Sequence, residues 1–369
     1  MGIRNFILCG VLAAVGCGRN SATDSPAVNI TPLPAIAPST DYGNGVSALA
    51  AGEIGGVITV AGGANFPDTP AAEGGKKRFY DDIFVLGEEG WTKAGTLPRP
   101  VAYGAAYAFD DRIIIAGGAD AGSSSADVFE IRLSASNCCN DDCNGLNGTL
   151  AIVTPMARLP LPVEQAAAAK EGSRLYLAGG LSDGTPSLGV YTIDTEHDGE
   201  WAKIAELPEP MVQPIAAVYG DRLYVWGGFD PAKKRAADYG FRYCDGEWRR
   251  IAGLPDGGTA VGSTAVQDEK GMMLVVGGVN REVFDNALAM PAEKSREYLS
   301  QPVEYYRFRS EIYIFDPETE SWSAPIVSTS AAARAGAAAV LSKTHGIVII
   351  DGEAKPGIRS TDITAIEPL

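Results

Sequence analysis

The sequence predicts an all-β fold, a six-bladed β-propeller, and three observations carry that prediction. Apolar strands closing on a glycine pair recur along the chain, the last in altered form. A second strand follows these pairs, and several repeats then run from a Trp into a strand ending Leu-Pro. Gly (44 residues) and Pro (23) supply many turns, and the 46% of apolar residues is enough for a continuous core. The 369 residues exceed an average domain, but all-β rings of this length fold as one.

In chain order the glycine-terminated strands are VITVAGG (Gly62-Gly63), IIIAGG (Gly117-Gly118), LYLAGG (Gly179-Gly180), LYVWGG (Gly227-Gly228) and MLVVGG (Gly277-Gly278). A sixth copy, IVIIDGE, is read as ending in Gly352-Glu353. The strands DDIFVL, ADVFEI, GVYTID and EIYIFD follow such pairs, and Trp91, Trp201 and Trp248 lead toward Leu97-Pro98, Leu207-Pro208 and Leu254-Pro255. Asp198 to Trp201 and Asp245 to Trp248 both read Asp-Gly-Glu-Trp, a tight-turn signal. Glycines suit places where strands crowd or the backbone takes positive φ, and Trp supplies large buried area between blades. Four strands per unit with this pattern resemble the Kelch repeat. The last unit lacks its outermost strand, while residues 27–34 carry a strand ending Leu-Pro. That segment is expected to pair with the C-terminal blade and close the ring, so that 27–369 forms one propeller domain.

The first seventeen residues read as an address. Arg4 begins a positive n-region, and Phe6 to Val15 form an apolar run. Such a run is too short to span a bilayer, which takes about 20 residues. Ala14-Val15-Gly16-Cys17 fits a bacterial lipobox, with Ala where Leu is commoner. We therefore expect export, with the protein periplasmic or held at a membrane by a lipidated Cys17, and residues 18–26 as a flexible tether. Cys138, Cys139 and Cys143 crowd a polar insertion, where a local disulfide from Cys143 to Cys138 or Cys139 is expected in an oxidising compartment. With His197 and His345 both distant in sequence, a loop staple is favoured over a metal site there. The formal charge of −16, with no long basic run, argues against a nucleic-acid partner.

Two departures from the repeat point to function. Glu353 is read as standing where the other units have a second glycine, and violations of a local rule concentrate at functional sites. Two places beyond each pair come Asn65, Asp120, Ser182, Asp230, Asn280 and Lys355, alternating with apolar residues, so that strand-like alternation would turn them toward one rim of the channel. Lys355, beside Glu353 and near Arg359, is expected in a polar pocket. The longest interval holds Pro291 and AEKSREYL, a short helix begun by Pro, which could lie over the channel. Lys76, Lys77 and Arg78 lie in another insertion at the same end of the ring, where they would attract an anion.

The stretches GGANFP, EGGKKRFYDDI, Tyr103-Gly104, GGVNREVF and DGEAKPGIR together resemble the sialic acid mutarotases, or N-acetylneuraminate epimerases. These are bacterial Kelch propellers, and here the blade order is circularly permuted relative to the best-known members. The resemblance implies catalysis by Glu353 as acid/base with Arg359 as its partner. Arg359 would either bind the substrate carboxylate or orient Glu353. It further implies substrate binding by Lys355, Asn280, Asn65 and Arg281, a small acidic sugar (sialic acid) as substrate, and no cofactor or metal. Sialidases share the propeller and the sugar, but neither Asp-Gly-Glu-Trp hairpin carries their Ser-x-Asp box. Copper oxidases of Kelch type need a histidine set that two separated His do not provide. The rival reading is a non-catalytic surface propeller that binds glycans or a protein.

Overall fold

The computed structural model describes residues 28–135 and 148–368. The expected leader, Cys17, the tether and Cys138, Cys139 and Cys143 lie outside these residues. Each blade is an antiparallel sheet built from the channel outward. Blade 1, for example, is Ala50–Ile54, Val57–Ala61, Asp82–Gly87 and Gly90–Thr96. Blades 2 to 5 repeat this arrangement, and blade 6 ends the ring with Ala338–Ser342, Gly346–Ile350 and Ile363–Pro368.

The outermost strand of blade 6 is Val28–Leu33. It runs antiparallel to the last strand, in register from Val28 opposite Pro368 to Leu33 opposite Ile363. The ring is thus closed within one sheet by both ends of the described chain, as the Leu-Pro ending of residues 27–34 predicts.

Hydrophobic clusters fill the six interfaces between neighbouring blades. Between blades 6 and 1, for instance, Val340, Val348 and Ile350 meet Ile58, Val60 and Phe84. The innermost strands are rich in alanine, including Ala106, Ala108, Ala167, Ala169, Ala216 and Ala339, because they converge where larger side chains would collide. Each glycine pair makes the step from the second strand toward the channel mouth, with positive φ at both residues. A Cβ on Gly117 would come within 2.2 Å of the Val163 carbonyl oxygen, so the first position of that step is closed to most side chains.

The long insertion contains more helix than its sequence suggests. α1 (Arg281–Ala289) follows the glycine pair of blade 5, and α2 (Ser295–Leu299) and α3 (Val303–Tyr306) come after it. The expected Pro291 helix is found as a 3-10 turn, Ala292–Lys294, running into α2. Asn280 starts α1 by accepting a hydrogen bond from the Val283 amide at 3.1 Å on its Oδ1.

Candidate active site

At the start of each innermost strand, two residues ahead of it in five blades and at its second residue in blade 4, the backbone is left-handed. Ala48, Tyr103, Gln165, Gln213, Gly262 and Gly336 have φ of 58, 61, 57, 58, 70 and 60°. Their main chains join hand to hand around the channel mouth. Ala48 N donates to Gly336 O (2.8 Å), Tyr103 N to Ala48 O (3.0 Å), Gln165 N to Tyr103 O (2.9 Å), Gln213 N to Gln165 O (3.0 Å) and Gly336 N to Gly262 O (2.8 Å). Left-handed non-glycine residues cost about 1–3 kcal/mol each and gather at functional sites. Around this ring the side chains are unevenly shared. Tyr103, Gln165 and Gln213 fill one half, while Gly262, Gly336 and Ala48 leave the other half open.

Over this floor lies a cavity of about 440 Å³, walled by α1 through Val283, Phe284 and Leu288. Its polar groups include Glu353, Tyr298, Asn280, Ser263, Gln165 and Gln213. The two glutamines are linked, Gln213 Nε2 donating to Gln165 Oε1 at 2.8 Å. Burial raises the pKa of the Tyr298 hydroxyl, with Tyr306, Tyr305 and the Glu353 charge adding to the effect, so it stands there as a protonated hydrogen-bond donor.

Glu353 enters from the open half of the ring. Its main chain exchanges hydrogen bonds with Ala335, the neighbour of Gly336, with Glu353 N donating at 2.7 Å and accepting Ala335 N at 3.1 Å on its carbonyl. The structure corrects the register of this repeat. Gly352 has φ 95° and donates to Val46 O as Gly63 donates to Val101 O, so Gly352 is the second glycine and Asp351, at φ 50°, replaces the first. Glu353 is therefore the counterpart of Ala64, Ala119, Leu181 and Phe229, each bridged to the residue before a left-handed ring position. It remains the exception, because a carboxylate stands where these blades present an apolar side chain.

Opposite Glu353 in a short hairpin is Arg359, which takes the place of Phe79 in blade 1 and Pro186 in blade 3. Arg359 Nη1 donates to Glu353 Oε1 at 2.6 Å, and its Nε donates to Ala64 O at 3.1 Å. The Arg359 side chain is only 2% exposed against 25% for Glu353, so the carboxylate reaches the cavity and the guanidinium lies behind it. Arg359 Nη2 is buried and has no hydrogen-bond partner.

Other expected contacts fall elsewhere. Asn65 is 1% exposed; its Nδ2 donates to Asp41 O and Gly45 O (2.9 Å each), and its Oδ1 accepts Tyr80 Oη at 2.8 Å. No edge of that amide faces a substrate. With the register corrected, Ala354 and not Lys355 is the sixth member of the expected polar rim. Lys355 Nζ donates to Gln301 O at 2.7 Å and Leu299 O at 3.4 Å, tying down the end of α2. Arg281 pairs with Asp238 and is outside the cavity lining, whereas Asn280 lines the cavity while capping α1. Asp120 and Asp230 cap turns, accepting from the Gly122 and Ala232 amides. The polar residues after the glycine pairs are thus largely engaged in local turns and caps, because the chain bends there and the strand alternation ends.

Gln165, Gln213 and Tyr298 were not singled out from sequence. A signal was present for the glutamines, each lying at the start of an alanine-rich inner strand at the position Gly262 and Gly336 hold in other blades.

The sequence pattern of the N-acetylneuraminate epimerase family matches residues 19–138 and 156–367. The chain belongs to this family. N-acetylneuraminate epimerases of Vibrio cholerae and Brucella suis are 35% and 34% identical to it over 108 and 113 residues. Those stretches cover 27% and 28% of this chain, and 28% and 29% of the relatives, so the alignments span under a third of either curated protein. The solved structure of YjhT aligns with 91% of this chain and 99% of its own, at a TM-score of 0.57 and 12% identity, which supports the fold.

Proposed function

We propose that the protein is a mutarotase that speeds interconversion of the α and β anomers of N-acetylneuraminate. The observation that carries this reading is Glu353, a carboxylate held by Arg359 and presented to a cavity at the channel mouth where other blades present apolar side chains. The family's name, N-acetylneuraminate epimerase, supports this choice of sugar. In the reaction the anomeric hydroxyl gives its proton to Glu353, the bond from the anomeric carbon to the ring oxygen breaks, and the ring oxygen takes up a proton. The resulting ketone turns and recloses on its other face, returning the protons. A positioned carboxylate contributes typically 10²- to 10⁴-fold to such a step. The Tyr298 hydroxyl supplies a donor in the same cavity. Arg359 acts here as a positioning residue, its Nη1 donating to Glu353 Oε1 and keeping the carboxylate aimed at the cavity.

The test follows freshly dissolved α-N-acetylneuraminate by proton NMR, reading the C3 signals of both anomers with and without the protein. Faster equilibration that is lost in Glu353→Gln supports the assignment. A folded protein that leaves the time course at the buffer rate overturns it and favours a glycan-binding propeller. Full activity in Glu353→Gln removes that residue from the chemistry.

A further inference from the structure

An acidic sugar that opens and closes at its anomeric carbon carries its carboxylate on that same carbon. A cation is the strongest partner for that carboxylate, yet the cavity lining itself contains no Lys or Arg. Arg359 is shielded behind Glu353. Arg281 pairs with Asp238, Arg78 with Asp41 and Asp68, and Lys355 donates to two main-chain carbonyls.

We propose that Lys77 recognises the substrate carboxylate at the edge of the cavity beside Tyr103, a reading that rests on the mutarotase assignment. Lys77 Nζ donates to Tyr103 Oη at 2.8 Å, and Tyr103 belongs both to the ring floor and to the cavity lining. The ammonium group is 5.0 Å from the centre of the Tyr103 ring, 5.8 Å from Phe66 and 6.0 Å from Phe79. Phe66 also stacks with the Arg359 guanidinium at 5.4 Å, so a single phenyl ring connects Lys77 to the group that holds Glu353.

The aromatic cage holds the ammonium in place while leaving N–H bonds beyond the one to Tyr103. Among the described residues Lys77 forms no ion pair, in a chain whose formal charge is −16. Lys77, Tyr103, Gln165 and Gln213 together line an open groove that adjoins the cavity. The carboxylates of that groove are already engaged. Asp120 pairs with Arg99, Glu164 accepts from Ser124 Oγ and Gln165 Nε2, and Asp183 accepts from the Ser124 amide. Lys77 is therefore the cation positioned to meet an incoming anion.

The experiment compares N-acetylneuraminate with its methyl ester, which keeps the ring and the anomeric hydroxyl but removes the negative charge. Mutarotation of both is measured for the wild type, Lys77→Met and Lys77→Arg. Loss of one charge-assisted contact is expected to raise KM about 10- to 100-fold. The wild type should thus favour the acid over the ester. In Lys77→Met the KM for the acid should rise to that for the ester, with the ester KM unchanged and kcat for both little altered. Lys77→Arg, which keeps charge and ring contacts, should recover part of the preference. A Lys77→Met enzyme that still prefers the acid, or one that loses both substrates equally while Lys77→Arg fails to recover the preference, overturns the role of Lys77 alone. A wild type inactive on both sugars overturns the mutarotase reading, and the role of Lys77 with it.

Discussion

Replacing Asp351 by Asn should make the protein more stable at neutral and alkaline pH. Asp351 is 2% exposed and sits in the glycine step of blade 6, where its Oδ2 accepts the Val46 amide at 3.1 Å. Burial pushes its carboxyl up to about 7; the Val46 amide and the Arg334 charge hold it down, and Asp362 pushes it further up. Arg334 donates to the Asp351 carbonyl at 3.1 Å rather than to its carboxylate, and also bonds Asp362. In the unfolded chain the same carboxyl titrates near 3.8. Between those two values the folded state binds the proton more tightly, so this group makes stability fall as pH rises from about 4 to about 7. A gap of about three pH units corresponds to about 4 kcal/mol, present in full above pH 8 and absent below pH 4. Asn cannot ionise, keeps an acceptor for Val46 and tolerates the left-handed backbone. Urea denaturation of both proteins at pH 5, 6, 7 and 8 provides the test, because carboxylates common to both cancel in the difference. The advantage of Asn should grow with pH toward that ceiling. A difference independent of pH, or one that turns against Asn as pH rises, would refute the buried-acid argument.

Two further perturbations separate framework from site. Asn65→Ala removes three buried hydrogen bonds and should cost about 2–4 kcal/mol in urea denaturation, with KM for N-acetylneuraminate unchanged; a raised KM at full stability would return Asn65 to the binding surface. Lys355→Met releases the carbonyls of Leu299 and Gln301, and a loss of about 1–2 kcal/mol of local stability should speed proteolysis between residues 295 and 303 about 5- to 30-fold. Unchanged cleavage there would show that the end of α2 is held by its tyrosine packing instead.

The repeat made the fold legible, because Gly-Gly steps, Trp anchors and Leu-Pro endings all answer to strand geometry that recurs in each blade. Even the exchange of the outer strand followed from a missing element at one end and a spare one at the other. That Glu353 and Arg359 lie together was legible too, but the alignment of blade 6 was not, since Asp351 tolerates the left-handed backbone and accepts the Val46 amide. The folded backbone, with positive φ at Asp351 and Gly352 and the Gly352 amide on Val46 O, separates Asp351-Gly352 from Gly352-Glu353 as the equivalent of a glycine pair. The shift by one residue also moved Lys355 off the rim. Asn65 misled for a different reason, because its sequence position fixes where its backbone lies but not that three neighbours occupy its amide. Gln165, Gln213 and Tyr103 converge only once six distant segments meet at the channel mouth; their position at the start of the alanine-rich strands marks each one's place in its blade but not that they face one another.

The closure of blade 6 also sets an order of events. Val28 cannot find its partner until Pro368 has been made, so throughout synthesis the growing chain is an open arc with an unsealed end. Pairings between residues so far apart in sequence are slow to form, and an unpaired strand edge invites other chains. Blade 1 and blade 5 must therefore be shaped well enough to hold the gap open for the right pair of strands. Blade 6 is consequently both the last part of the ring to be completed and the part that carries Glu353, whose partner Arg359 in turn reaches across to the Ala64 carbonyl of blade 1.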